Sequence, residues 1–302
     1  MARFGYLAVF VFGLLLCSSS QAAALRVRVV TTFLPAYCFA ANVAGNSAVV
    51  ENLLPGHVSL HDYQLSPGDL RKLKAADLIV VNGLGMETFL DKVLAATGPE
   101  SAKKIVRLSA GLEAQLIEEQ AQPHHHEHGH DRAHNPHIWL DPRLAMWGIT
   151  NICRALESRD PTNANAYRQN ADAYSQRLAA LDAEVEQAIA PVRQVPLVTY
   201  HNAFPYFVRR YGLKLAGVVE LVPEVSPSPK ELSRIHAVIR EQKVRALFAE
   251  PGAATRLARQ IARDAGIKLA ELDPLETGVL GAKSYEEIMR RNVGALLQAL
   301  QP

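Results

Sequence analysis

Cysteine is scarce in this chain, with three in 302 residues, and none has the C-x-x-C neighbour that a thiolate zinc site needs. There is no G-x-x-x-x-G-K-[ST] loop, so the chain is not expected to hydrolyse ATP itself, and Gly83-Leu84-Gly85 lacks the full dinucleotide fingerprint and reads as a turn. The helical protease motif H-E-x-x-H is absent as well. Charge of either sign is not in excess: the formal net charge is +2, which gives no reason to expect nucleic acid or an acidic membrane surface as a partner. Beyond the first two dozen residues no apolar run is long enough to cross a bilayer. What is plentiful is histidine, and it is concentrated. Seven of the 11 histidines fall in PHHHEHGHDRAHNPHIWLDP, residues 123–142.

The N-terminus has the order of a secretory signal peptide. Arg3 precedes the apolar YLAVFVFGLLL, followed by SSSQ and Ala22-Ala23-Ala24, which predicts cleavage after Ala24 and a periplasmic, soluble mature protein. Leu16 is a poor residue before a lipidated cysteine, so Cys17 is read as part of the discarded leader rather than as an anchor. Cys38 and Cys153 remain. In an oxidising compartment they are candidates for one disulfide or for two free thiols.

With 49% hydrophobic and 21% charged residues the mature chain has an ordinary globular composition. LRVRVVTTF, ADLIVVNG and KKIVRL read as buried strands. SPGDLRKLKAA reads as a helix, with Ser66 as N-cap, Pro67 in the first turn and Asp69 at the third position. Strands alternating with helices predict a parallel sheet. The second half repeats this grammar. VPLVTYHNAFPYFVRRYG echoes VRVVTTFLPAYCFAANVAG, and EVSPSPKELSRIHAVIREQKVRALFAEPG echoes HVSLHDYQLSPGDLRKLKAADLIVVNG, with Ser228 and Glu231 forming a second capping box. Two echoes in one order predict an α/β protein of two similar lobes, each a mostly parallel sheet flanked by helices. Between them, residues 160–192 carry Tyr167, Tyr174, Leu178, Leu181, Val185 and Ile189 at helical spacing. A helix of ~28 residues spans ~42 Å and makes a stiff strut. The expected organisation is a signal peptide at 1–24, a first lobe at 25–159 containing a histidine-rich loop at 122–135, a linking helix at 160–192 and a second lobe at 193–302.

Four residues stand where such a fold binds ligands, in loops at strand ends. They are His61 in HDYQLSP, His137 in NPHIWLDP, His201 in TYHNAFPYF and Asp273 in LDPL. Pro136, Trp139 and Pro142 restrain the segment around His137, so that ring can be aimed, unlike the tract before it. Converging across a cleft, the four would present three imidazoles and a carboxylate, a set suited to Zn²⁺. Asp62, Asp141 and Glu250 are candidates for orienting the imidazoles, with caps and turn hydrogen bonds as the alternative. His236 is expected at a surface or boundary. Trp147, Phe204, Tyr206 and Phe207 are expected in the core or the cleft wall.

These four motifs, in this order and over essentially the whole mature chain, resemble the ZnuA/TroA-like solute-binding proteins that serve ABC importers of zinc or manganese. The resemblance implies two α/β lobes joined by a long helix with metal held between them, and ligands at His61, His137, His201 and Asp273. It also implies a monomer delivering Zn²⁺ to a permease and, through it, to an ATPase; a zinc-loading chaperone is a further partner considered. Manganese-type members tend to place a carboxylate where His201 stands. Since Mn²⁺ prefers oxygen and Zn²⁺ accepts imidazole, zinc is the expected cargo, with Mn²⁺ or ferrous iron the alternative. The tract of His124, His125, His126, His128, His130 and His134 sits where zinc-binding members carry such a loop. It reads as a weak auxiliary metal collector or as a solvated loop. A rival class, a secreted zinc hydrolase, would need one coordination position open for water and Glu224 or Glu250 as base.

Imidazole binds metal only when neutral. Zinc affinity of the mature protein, measured by chelator competition between pH 8 and pH 5, is therefore expected to fall as pH drops through about 6; a flat profile would remove histidine from the ligand set.

Overall fold

A computed structural model describes residues 26–56, 58, 63–90, 102–119, 134–220, 227–251 and 256–301. The expected signal peptide, His61, Asp62, the histidines from His124 to His130 and Glu224 lie outside the described residues. Among the described residues no helix is long and apolar enough to cross a membrane.

The first sheet is built from β1 (Val27–Thr31), β2 (Ala48–Asn52), β3 (Leu78–Val81) and β4 (Ile105–Arg107), in the order β2-β1-β3-β4, and every pairing is parallel. β3, LIVV, is buried along its whole length, as expected of a strand covered on both faces. β2, AVVEN, and the three-residue β4 are the edge strands, and β2 is largely half-buried. Helix α1 (Leu34–Ala44) carries Pro35 in its first turn and ends at Gly45, whose positive φ of 51° suits glycine. Helix α2 (Pro67–Ala75) begins with the expected capping box: Ser66 Oγ accepts from the Asp69 N–H, and the Asp69 carboxylate accepts from the Ser66 N–H and from Tyr63 Oη. Burial opposes ionisation of Asp69, but these donors together hold its carboxyl below the usual range.

Helices α3 (Pro142–Arg159) and α4 (Ala164–Ile189) follow. At 26 residues, α4 is about 39 Å long by its rise per residue. It buries Tyr167, Tyr174, Leu178, Leu181, Val185 and Ile189, the stripe expected from their spacing. A 3-10 turn over Ala190–Val192 ends it.

The second lobe repeats the first. β5 (Leu197–His201), β6 (Leu215–Glu220), β7 (Ala246–Ala249) and β8 (Lys268–Glu271) form a parallel sheet in the order β6-β5-β7-β8. Helices α5 (Pro205–Tyr211), α6 (Pro229–Glu241) and α7 (Arg256–Ala265) accompany them. α5 starts on proline and stops at the left-handed Gly212, as α1 stops at a positive-φ glycine. The Ser228–Glu231 capping box is formed as well.

The last helix, α8 (Ser284–Leu300), does not stay with the second sheet alone. It lies along α4 and reaches α1: Arg290 pairs with Glu184, Arg177 with Glu286, and Cys38 Sγ meets the Gly281 carbonyl at 3.2 Å. One apolar core runs from the first sheet through α4 to Tyr206, Phe207, Phe248, Leu275, Tyr285 and Leu296 of the second half. A smaller core around Val198, Leu247, Ile235 and Ile261 fills the outer face of the second sheet. Buried Asp182 of α4 receives Arg210 of α5 and Arg143 of α3, tying strut, second lobe and first lobe at one point.

One open alternative is decided and one expectation is corrected. Cys38, on α1, and Cys153, on α3, are free buried thiols and do not pair. Cys38 is directed at Gly281, and burial raises it to about 12 and Cys153 to about 11, so neither is a ready thiolate. Trp147 is neither core nor cleft wall; it is 44% exposed, with Nε1 donating to the Ala110 carbonyl and its ring lying on Gly111.

Because each cap oxygen satisfies an otherwise orphaned helix donor, Ser66→Ala and Ser228→Ala are each expected to cost ~1 kcal/mol in denaturant unfolding. A loss well below that for both would mean that solvent replaces the caps.

Candidate metal centre

In each sheet the chain leaves the central strand for a neighbour on one side and returns on the other. The carboxyl ends of β1 and β3, and of β5 and β7, are therefore topological switch points, where open α/β sheets bind ligands. His201 is the last residue of β5, and Glu250 follows β7 directly. In the first lobe the same place is filled internally. The buried Glu87 carboxylate accepts from Thr32 Oγ1 at 2.9 Å and from the N–H groups of Asn82 and Gly83, and burial raises its pKa. Asn82 Nδ2 in turn donates to the Pro136 carbonyl at 2.9 Å, which holds the His137 segment over the end of β3.

His137 is 2% exposed and lies just before the 3-10 turn Ile138–Leu140. Trp139, fully buried against Phe33, donates from Nε1 to the Pro274 carbonyl at 2.7 Å, and Tyr285 Oη donates to the Trp139 carbonyl at 2.7 Å. These bonds lock the His137 segment to the loop after β8. In that loop Asp273 Oδ1 accepts from the Leu275 N–H at 2.8 Å, and Leu275 sits at φ 64°. Positive φ is uncommon for a leucine, and here it turns the chain so that Glu276 enters the cleft.

His137, His201 and Glu276 each place a ligand atom within 4.8 Å of the others. All three side chains are largely buried. The two rings meet edge to face with centroids 5.1 Å apart, and His137 Nε2 lies 2.9 Å from Glu276 Oε1. His201 Nδ1 is hydrogen-bonded to the Glu250 carboxylate. Burial pulls the His201 pKa down, but Glu250, then Glu276 and Glu220, outweigh it and leave the ring above its usual value.

Asp273, the carboxylate expected as a ligand, is not in this group of described residues. Its carboxylate caps its own turn at Leu275 and faces Arg291 at 3.7 Å. Burial raises its pKa, the direction expected of a desolvated carboxyl. The signal for Glu276 was present, since an aspartate before Pro-x is a turn former whose oxygen binds the N–H two residues on. The next carboxylate is Glu276. Glu250 is the imidazole partner it was considered to be, whereas Asp141 caps α3 through the Arg143 N–H. Tyr206 and Phe207 are core residues on α5. Of the six histidines of the histidine-rich loop, only His134 is described; it makes an antiparallel bridge with Glu118 and is outside the buried group. On the approach to His61, the Gly56 carbonyl accepts from the Gly278 N–H. A Cβ on Gly56 would stand 2.1 Å from the Gly278 oxygen, so glycine is needed for this approach.

The donor set itself calls for a cation. Asn135 Oδ1 lies 3.0 Å from His137 Nδ1, and an amide oxygen can only accept, so Nδ1 carries a proton. Nε2 then faces a carboxylate oxygen. Either a proton, carried by the ring or by the carboxyl, is shared between the two atoms, or a metal ion stands between two lone pairs. Fold and site together define a two-lobed protein with a candidate metal centre, in which buried nitrogen and oxygen donors come from both halves of the chain.

Residues 29–299 match the family described as zinc-uptake complex component A, periplasmic (ZnuA), and the chain belongs to that family. It is 31% identical over 290 residues to the zinc-binding lipoprotein AdcA of Streptococcus pneumoniae, covering 94% of this chain and 58% of that protein, so it spans little more than half of the relative's length. It is 33% identical to the iron-binding protein YfeA of Yersinia pestis over 80% of this chain and 75% of that one. Among solved structures it is similar to FpvC of Pseudomonas aeruginosa in complex with Mn²⁺, at TM-score 0.78 and 28% identity, covering 91% of this chain and 98% of that chain.

Glu276→Gln is expected to weaken metal binding by more than the ~10–100-fold typical of an outer-shell change. Asp273→Asn, which retains the turn's acceptor, should leave affinity near that of the parent. Titration with a competing chelator separates the two, and the opposite ranking would return the ligand role to Asp273.

Proposed function

We propose that this chain captures one Zn²⁺ between its lobes and hands it to an ABC-type permease and its ATPase for uptake. The observation that carries the reading is the convergence of His137, His201 and Glu276 from two loops and a strand end into one buried cluster. His61 is the fourth ligand in this proposal. The contact between Gly56 and Gly278 supports it, because it brings the loop leading to His61 against the loop carrying Glu276. Three imidazoles and one carboxylate suit Zn²⁺ better than the oxygen-loving Mn²⁺. The similarity to FpvC with Mn²⁺ and to the iron-binding YfeA keeps those ions as the alternative cargo.

The site does not favour hydrolysis. Four protein ligands leave no coordination position for an attacking water, and Glu250 is committed to His201. The chain acts as a binding protein rather than an enzyme, and as a monomer, since every proposed ligand comes from one chain. It is exported by its N-terminal leader, and the tract from His124 to His134 serves as a weaker auxiliary collector. Release requires the loops to part or one ligand to swing away, because the apolar core shared through α4 favours small motions over wide opening.

Metal stoichiometry and zinc affinity of the mature protein, measured beside a variant lacking residues 124–134, test the proposal. One tight zinc that survives the deletion while weaker ions disappear is the expected result. Loss of tight binding with the loop would place the principal site in the histidine tract and sink the cleft.

A further inference from the structure

Asn135 is 1% exposed and stands two residues before a proposed ligand. Its side chain is engaged at both ends. Nδ2 donates to the Asn202 carbonyl at 2.7 Å. A carbonyl only accepts, so the amide nitrogen must point there and the oxygen must point the other way. That oxygen accepts from the His137 N–H at 3.1 Å and lies 3.0 Å from His137 Nδ1. The residue's own carbonyl accepts from Tyr206 Oη at 2.8 Å, and that hydroxyl accepts from the Ile117 N–H.

These bonds do two things at once. The acceptor side fixes the tautomer and plane of the His137 ring, directing Nε2 toward Glu276. The donor side grips the backbone immediately after His201, in the other lobe. We infer that Asn135 is the positioning residue of the metal centre, and that it couples the aim of the first lobe's imidazole to the seating of the second lobe's. If the second lobe moves away, the amide loses Asn202, and the restraint on His137 loosens with it. Ligand orientation and lobe closure thus share one side chain. The inference rests on the cleft reading and goes beyond it by naming what makes the cleft close as a unit.

The Asn135→Ser variant separates this role from that of a turn former, because a serine hydroxyl can still accept the His137 N–H but cannot also supply the amide donor to Asn202. Asn135→Asp restores the acceptor for Nδ1 and leaves the Asn202 carbonyl without a donor. Three readouts are taken on the full mature chain: zinc affinity, the zinc release rate with excess chelator, and the visible absorption bands of the Co²⁺-loaded protein. N135S is expected to bind zinc ~10–100-fold more weakly, with shifted Co²⁺ bands. N135D should recover the parent's bands yet release zinc faster than the parent. Parent-like bands and affinity in N135S, with only thermal stability reduced, would overturn the proposal and leave Asn135 a turn residue. Should N135S fail to fold, Tyr206→Phe tests the coupling on its own: faster release with unchanged Co²⁺ bands supports it, and an unchanged release rate overturns it. Failure of the cleft reading looks different, for then His137→Ala would bind zinc as tightly as the parent.

Discussion

Nε2 of His137 and Oε1 of Glu276 face one another at 2.9 Å in a cleft from which water is largely excluded. Asn135 has already placed a proton on the far nitrogen of that ring. Two electron-rich atoms so close and so buried are stable only with positive charge between them, either a proton or a metal ion. His201 joins them from the second lobe, its own far nitrogen engaged by Glu250. The rest of the molecule can be understood as the apparatus that holds these donors together.

That apparatus is stiffer than two lobes on a hinge. The inner face of the second sheet and helix α8 belong to the same apolar core as α1, α3 and α4. Trp139 spans the join: its ring packs on Phe33, its Nε1 holds Pro274, and its carbonyl is held by Tyr285. The Asp182–Arg210–Arg143 cluster pins the strut to both halves. Breaking such a shared core exposes apolar surface at ~25 cal/mol per Å², so wide separation is costly while local loop motion is not.

A recurrent local device builds the site. Asn135, Asp141, Asp160 and Asp273 each precede a proline, and each side-chain oxygen takes the N–H of the residue after that proline. Proline has no N–H to offer, so the next residue's donor turns inward to the Asx oxygen. This device was legible in the sequence, and it explains why the Asp273 carboxylate is spent on its own turn. What could not be read was where the chain goes after the turn. The positive φ at Leu275 that aims Glu276 is held by Trp139 and Tyr285, residues more than a hundred positions away or on another helix. The free state of Cys38 and Cys153 was equally out of reach, because two cysteines on separate helices say nothing about which way either thiol points.

The sequence by itself determined the two parallel sheets, the matched capping boxes, the long strut and the histidines at 137 and 201. Those depend on periodicity, β-branched runs, caps and strand-end position, all local in the chain. Tertiary structure alone decided that Glu276 rather than Asp273 faces the imidazoles, that Glu250 steadies His201, that α8 crosses back to the first half, and that one asparagine touches both lobes. Each of those is a contact between segments far apart in sequence, where packing and hydrogen-bond satisfaction choose among side chains that local pattern treats as equivalent.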